Sequence, residues 1–438
     1  MRKWLLLLFL LTTITDFAQL SDAYKELRTF SKKKQVLPAD TSLYLDYFYQ
    51  NGLNYLYPLY KGFYQEQRLL KADTVLYYDH LTQAVSFTGD HASVMELEKM
   101  SHEKLSDSLK KEVDQFTDLA KEVTYTDARK YILSQAKNNR VVMINEAHDN
   151  PSHRVFTASL LEGLYQQGFR YLAMEMLDNY PGKKITKVNA FSGYYTVEPV
   201  AGELIRKAIE LGYTLVPYED TDARHTTSKE REYAQANNLY NYIKGLDKSA
   251  KILVHAGYTH IQEAAMPDAG IPIPMAAYFK IISGIDPLTI DQTEMSEGCK
   301  DSYTALFYEK WKQKNPFISS VVAMKNDKAI DPFGFNFYDI HVISPPTRYS
   351  NGRPVWMSMN GWKSETPINP AFQTMFMVQA YYENEYSEKN LNQAVPADQT
   401  YVSAPNGLYY LYLQKGKYKL VARDKEYKVL GVKALTVE

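Results

Sequence analysis

The sequence predicts an α/β fold built on a parallel-centred sheet with flanking helices, and three observations carry that prediction. Short apolar runs at 141–144, 170–174, 213–218 and 250–254 alternate with helical patterns at 152–167, 198–211 and 229–246. Strand and helix alternating at this spacing give right-handed βαβ units. Each run also ends in an ionisable group, namely Glu146, Glu175, Glu219 and His255. All strands of a parallel sheet end on one edge, and α/β folds bind ligands there. These side chains are therefore expected to gather in one cleft.

The elements follow in chain order. Arg2 and Lys3, the apolar stretch 4–11 and Asp16-Phe17-Ala18 read as a cleaved signal peptide over 1–18. No cysteine follows the stretch to carry a lipid, so the expected location is periplasmic or secreted, with no membrane span after cleavage. Residues 19–125 read as an amino-terminal helical region, clearest at 104–121, where Leu105, Leu109, Val113, Phe116 and Leu119 share a face. Tyr55, Tyr57, Tyr60 and Tyr64, with Phe48 and Phe63, fit ordinary helix packing better than a ligand wall. The α/β domain spans 126–345 and opens on a helix at 126–136. Its first strand, 141–144, runs into Asn150-Pro151, an N-cap followed by a first helical position. Glycines 168 and 212 close the next two helices. Further strands are expected at 288–290, 319–324 and 340–344. From 346 to 438 the texture becomes β-rich, with turn-separated runs at 407–413, 416–421 and 429–432.

Composition narrows the function. The chain has 438 residues and 45% hydrophobic content, enough for a large core. Its 50 basic and 51 acidic residues leave a net charge of -1, which gives no field for nucleic acid. Cys299 is the single cysteine and lies outside the cluster, so neither disulfides nor a cysteine nucleophile enter. There is no Gly-x-Ser-x-Gly elbow and no phosphate loop.

The Glu146-x-His148 step offers an imidazole oriented by a carboxylate, which is a general base. Glu175 and Glu219 shape the charge around it, and His255 or Arg154 stabilises an oxyanion. His153, Arg154, Tyr258 and His260 are expected to contact substrate. A cation in the first turn of a helix opposes the helix dipole, so Arg154 wants an anionic neighbour. A His/Glu cluster also suits zinc, manganese or iron, although no dedicated zinc spacing is present. His80, His91, His102, His225 and His341 fall outside any pattern and receive no assignment.

The same residues resemble the erythromycin esterase/ChaN-like superfamily, and more distantly the TraB/Tiki group. Asn145-Glu146-Ala147-His148-Asp149-Asn150-Pro151-Ser152-His153-Arg154 resembles its opening Glu/His motif. Ala173-Met174-Glu175, Pro217-Tyr218-Glu219 and His255-Ala256-Gly257-Tyr258-Thr259-His260 resemble its later motifs. The Glu-x-His spacing is nearer the ChaN-like branch, and coverage runs over 126–291. The resemblance implies an α/β core with a Glu/His cleft. Its members include esterases, metalloprotease-like proteins and haem-binding lipoproteins. Two expectations stay open. One is an exported hydrolase acting by water on an ester or amide of a small molecule or peptide, with a divalent metal or without. The other is a periplasmic protein that binds iron or non-covalent haem without catalysis. The substrate and the oligomeric state are not fixed by the sequence.

Overall fold

The computed structural model describes residues 20–34, 48–49, 52–180, 184–264, 272–369, 372, 374–389, 391–402 and 408–438. The signal-peptide reading of 1–18 lies outside them. Six parallel strands form the central sheet: β1 (Val141–Glu146), β2 (Phe169–Met174), β3 (Thr214–Pro217), β4 (Lys251–Gly257), β5 (Leu288–Asp291) and β6 (Ile340–His341), in the order β6-β5-β1-β4-β2-β3. The helices α1 (Pro151–Gln166), α2 (Pro199–Leu211), α3 (Ser228–Lys244) and α4 (Met275–Ser283) connect the first five strands.

Alternation along β1 divides its side chains between two layers. Val142 and Ile144 join Leu160, Leu161 and Leu164 of α1 and Leu204 of α2 on one face. Val141 and Met143 join Leu239 of α3 and Phe279 of α4 on the other. Residues two apart in a strand share a face, so Glu146 leaves β1 toward α1, and Asn145 leaves it on the opposite side.

The helix ends are set as the sequence indicates. The Asn150 side chain caps α1 by accepting from Ser152 N, with Pro151 in the first turn. Glu198 caps α2 by accepting from Val200 N and Ala201 N, and Gly212 ends that helix in the left-handed region at φ 92°. α3 opens on a capping box in which Thr227 and Glu230 bond reciprocally.

Two boundaries differ from expectation. Residues Thr124–Asp127 form a strand, and the helix starts later, at Ala128–Ala136. The β-branched and aromatic stretch Thr124-Tyr125-Thr126 finds a partner in Val321–Lys325, an antiparallel pairing that local pattern does not reveal. At 107–116 the helix buries Val113 but leaves Phe116 52% exposed. Elsewhere in this region Tyr55, Tyr57, Tyr60 and Phe63 are core residues and Tyr64 is exposed; the side chain of Phe48 lies outside the described part.

The carboxyl-terminal part is antiparallel. Its four-stranded sheet places Met377–Tyr382 between Asp398–Tyr401 and Gly416–Arg423, with Val429–Val437 outermost. It docks on α2, where the buried Glu203 accepts from Tyr382 Oη at 3.0 Å and pairs with Lys363 at 2.9 Å. Among the described residues no helix is long and apolar enough to cross a membrane.

Candidate functional site

Glu146 is the hub of the strand edge. It is wholly buried, and its two oxygens accept four hydrogen bonds. Arg154 approaches from α1 with Nε 2.7 Å from Oε2 and Nη2 3.0 Å from Oε1. His255 Nε2 donates to Oε2 at 2.8 Å, and His148 Nδ1 donates to Oε1 at 3.2 Å. Burial pushes the Glu146 carboxyl up, but Arg154 and His255 outweigh it and hold it well below the usual carboxylate range. The hub is therefore a fixed negative charge.

Further hydrogen bonds fix the groups around Glu146. Arg154 also donates from Nη1 to Glu198 Oε2 at 3.0 Å and from Nη2 to the His148 carbonyl at 2.9 Å. Thr157 Oγ1 accepts from Gln292 Nε2 at 3.3 Å and donates to His255 Nδ1 at 3.3 Å. His153 Nδ1 accepts from Ala147 N at 3.0 Å, which leaves its Nε2–H for Ser296 Oγ at 3.1 Å. Burial pushes the His153 imidazole down to about 4, so it is neutral at pH 7.

In front of this layer lies an open cleft of about 420 Å³, lined by His148, Glu175 and Glu219 together with Arg231 and the tyrosines 180, 194 and 195. His148 is the group that joins the two layers. Its side chain is 24% exposed. Its ring packs 4.6 Å from Tyr195 and 4.8 Å from Tyr258, and Tyr258 Oη accepts from the His148 amide at 3.2 Å. Arg231, from the first turns of α3, bridges Glu175 and Glu219 with 2.6 Å contacts to each from Nη2. Glu175 also accepts from Gly257 N at 2.5 Å. Burial raises the Glu175 carboxyl, but His260, His148 and Arg231 together hold it below the usual range. His260 sits between Glu175 and Glu232, at 3.4 and 2.7 Å. Burial opposes its charge, yet these carboxylates push its pKa up to about 10.

Gly257 is the floor under this arrangement. A Cβ there would stand 2.4 Å from His148 Cε1 and 3.1 Å from Glu175 Oε2. Only a residue without a side chain lets both groups close over the main chain.

The expected cluster thus exists in two layers rather than one. His148, Glu175 and Glu219 line the cleft; Glu146 and His255 stand behind it. His153 and Arg154, expected to touch substrate, are 1% and 0% exposed and have their polar atoms engaged within the protein. Tyr258 and His260 are part-buried beside His148 and Glu175. The sequence reading missed Arg231 and Tyr195. Arg231 was open to the reasoning applied to Arg154, because a cation near a helix amino terminus wants a carboxylate neighbour. Tyr195 arrives on the long connection between β2 and α2, which carries no periodic signal.

No family model and no curated protein matches this chain. It is similar to three solved structures at low scores. Two are described as bacterial protein toxins, one at 12% identity and TM-score 0.31, the other at 13% and 0.30. Another is RRSP, a MARTX toxin effector domain from Vibrio vulnificus, at 15% identity and TM-score 0.28. The matches cover 62%, 63% and 60% of this chain and 54%, 64% and 62% of those chains, respectively. The resemblance to the erythromycin esterase/ChaN-like superfamily, and the more distant one to the TraB/Tiki group, are therefore corrected. Neither a family model nor a curated protein of that superfamily matches the chain. Glu and His at the ends of parallel strands are general to α/β edges, so such short motifs do not single out a family.

Proposed function

We propose that the cleft hydrolyses an ester or amide bond, with His148 as general base and water as the nucleophile. The observation that carries this reading is the Glu146–His148 pair at the cleft wall. With Nδ1–H committed to a buried, ionised Glu146 at 3.2 Å, the Nε2 lone pair is left to take a proton from water. Among the described residues lining the cleft there is no serine or cysteine, and the nucleophile we assign is water. Arg231, 43% exposed, replaces the buried Arg154 and His255 as the charge that meets a developing oxyanion. Glu175 and Glu219 hold that guanidinium in place. The tyrosines give the rest of the cleft wall aromatic surface suited to a small molecule or a peptide side chain. An exported protein acting on such a substrate accords with the reading of the amino terminus.

Screening the purified protein against ester and peptide libraries, with His148→Gln as control, tests the reading. Turnover should fall about 10²- to 10⁴-fold in the variant, with the melting temperature within a few degrees of the parent. Equal activity per folded molecule would exclude His148 as the base. A Soret band in the purified protein, with no turnover, would move the cleft to haem binding instead.

A further inference from the structure

A second group of buried ionisable side chains lies on the same sheet edge, away from the cleft. Asp291 ends β5, and His341 ends β6 directly beside it in register. The turn that follows β5 brings in Glu294, and Asp291 shapes that turn. Asp291 Oδ1 accepts from Thr293 N at 3.0 Å and Thr293 Oγ1 at 2.8 Å, and Oδ2 accepts from Glu294 N at 3.2 Å. The His341 ring is 2% exposed, and neither of its nitrogens makes a hydrogen bond. Nδ1 stands 3.4 Å from Asp291 Oδ2 and 3.5 Å from Glu294 Oε2. On the far side of the ring, Nε2 stands 3.3 Å from Asp331 Oδ1.

An imidazole buried among three carboxylates at ion-pair distance, with no well-aligned hydrogen bond at either nitrogen and no lysine or arginine partner for the acids among the described residues, is an expensive arrangement for a protein alone. The spacing suggests what completes it. Ligand atoms bound at about 2.0–2.2 Å around a tetrahedral ion lie about 3.3–3.6 Å from one another. The two distances at Nδ1 fall in that range.

We infer that Asp291, Glu294 and His341 bind one divalent first-row transition ion, zinc or manganese, through His341 Nδ1 and a carboxylate oxygen from each acid. Asp331, 3.3 Å from Nε2, is placed to take the Nε2–H once the ion sets the ring, as the carboxylate partner that metal-bound histidines usually have. Asp331 is itself held, with Oδ1 accepting from Phe333 N at 2.7 Å and Oδ2 from Asn336 N at 2.6 Å. The imidazole in the set favours zinc over calcium and magnesium, which prefer oxygen alone, and the two carboxylates are the ligands that suit manganese. Glu294, 27% exposed, opens the site to solvent and to a water ligand.

The ion has a structural reach. Asn145 Nδ2 donates to Asp291 Oδ1 at 2.7 Å. Gln292 Nε2, on the same turn, donates to the Asn145 carbonyl at 2.6 Å and the His153 carbonyl at 3.1 Å. Metal at this turn therefore fixes the segment that backs Glu146, whatever reaction the cleft performs.

The test uses the full chain stripped with a chelator, then titrated calorimetrically with Zn²⁺ and Mn²⁺ while elemental analysis counts ions per chain. One ion per chain is expected, with a higher melting temperature. Asp331→Asn should weaken binding about 10- to 100-fold. Glu294→Gln, at a part-exposed position that tolerates change, should weaken it at least as much, and His341→Gln should abolish it. His148→Gln should bind like the parent. Failure of the folded parent to bind either ion saturably would overturn the inference. So would binding that survives intact in both Glu294→Gln and His341→Gln. Loss of the ion in His148→Gln alone would assign it to the cleft, which also overturns it.

Discussion

The two groups of carboxylates on this edge are balanced in different ways. Behind and within the cleft, each pair of acids shares one guanidinium: Arg154 lies between Glu146 and Glu198, and Arg231 between Glu175 and Glu219. Around β5 and β6, Asp291, Glu294 and Asp331 have only the His341 imidazole among them. The first group carries its counter-charge in its own chain, so its geometry exists without a ligand. The second leaves that charge to an ion. A cluster balanced by its own guanidinium groups and the proposed metal brace thus stand on one sheet, linked through Asn145 and Gln292.

The largest effect should come from breaking the first balance at its deepest point. Arg154→Met leaves Glu146 and Glu198 buried without their shared guanidinium, and removing one partner of such a pair costs about 3–5 kcal/mol. Denaturant titration should show that loss. A change below 1 kcal/mol would mean that Arg154 does not balance the hub.

Arg231→Met separates charge balance from catalysis, because this guanidinium is 43% exposed. Turnover should fall about 10²- to 10³-fold, while stability changes by about 1 kcal/mol or less. A stability loss equal to that of Arg154→Met would make the two arginines equivalent, which the comparison denies.

Smaller effects follow from pH. Glu175 and Glu232 raise the folded pKa of His260 from 6.5 to about 10. Between those values the folded state holds a proton that the unfolded state has lost. The His260 contribution is thus complete below pH 6.5 and disappears as pH rises through about 10. His260→Gln should flatten the stability profile in that window; an unchanged slope would remove the ion pair from the account.

The smallest effect belongs to His153, whose folded pKa is lowered to about 4 by burial. Its contribution is present above pH 6.5 and declines as pH falls toward 4, because only the unfolded state takes the proton readily. An NMR titration of the imidazole resonances should find no titration of His153 near pH 6.

The α/β core was legible because its strands and helices announce themselves locally. Val141–Glu146 is apolar until its last two residues, and Asn150-Pro151 starts the next helix by side-chain chemistry alone. Glu146, His148, Glu175, Glu219 and His255 could be gathered from the rule that parallel strands end together. Their division into two layers could not, because it depends on which face each side chain leaves after its strand has turned. His153 and Arg154 had the residue types of a binding surface, and only packing against Ser296 and Glu198 shows them enclosed. His341 had no motif at all. Its neighbours Asp291 and Asp331 come from 50 and 10 residues away and meet it through strand pairing and a loop.

Gly257 sets how freely this cleft can change. His148 and Glu175 rest on bare main chain, so even an alanine there would part them by direct contact. Saturation mutagenesis at that codon should return glycine almost alone among active clones. Tyr180 and Tyr194 border the same space and are 63% and 54% exposed, with little core to disturb. New substrate preferences are therefore to be sought at the tyrosine rim, over a floor that tolerates no variation.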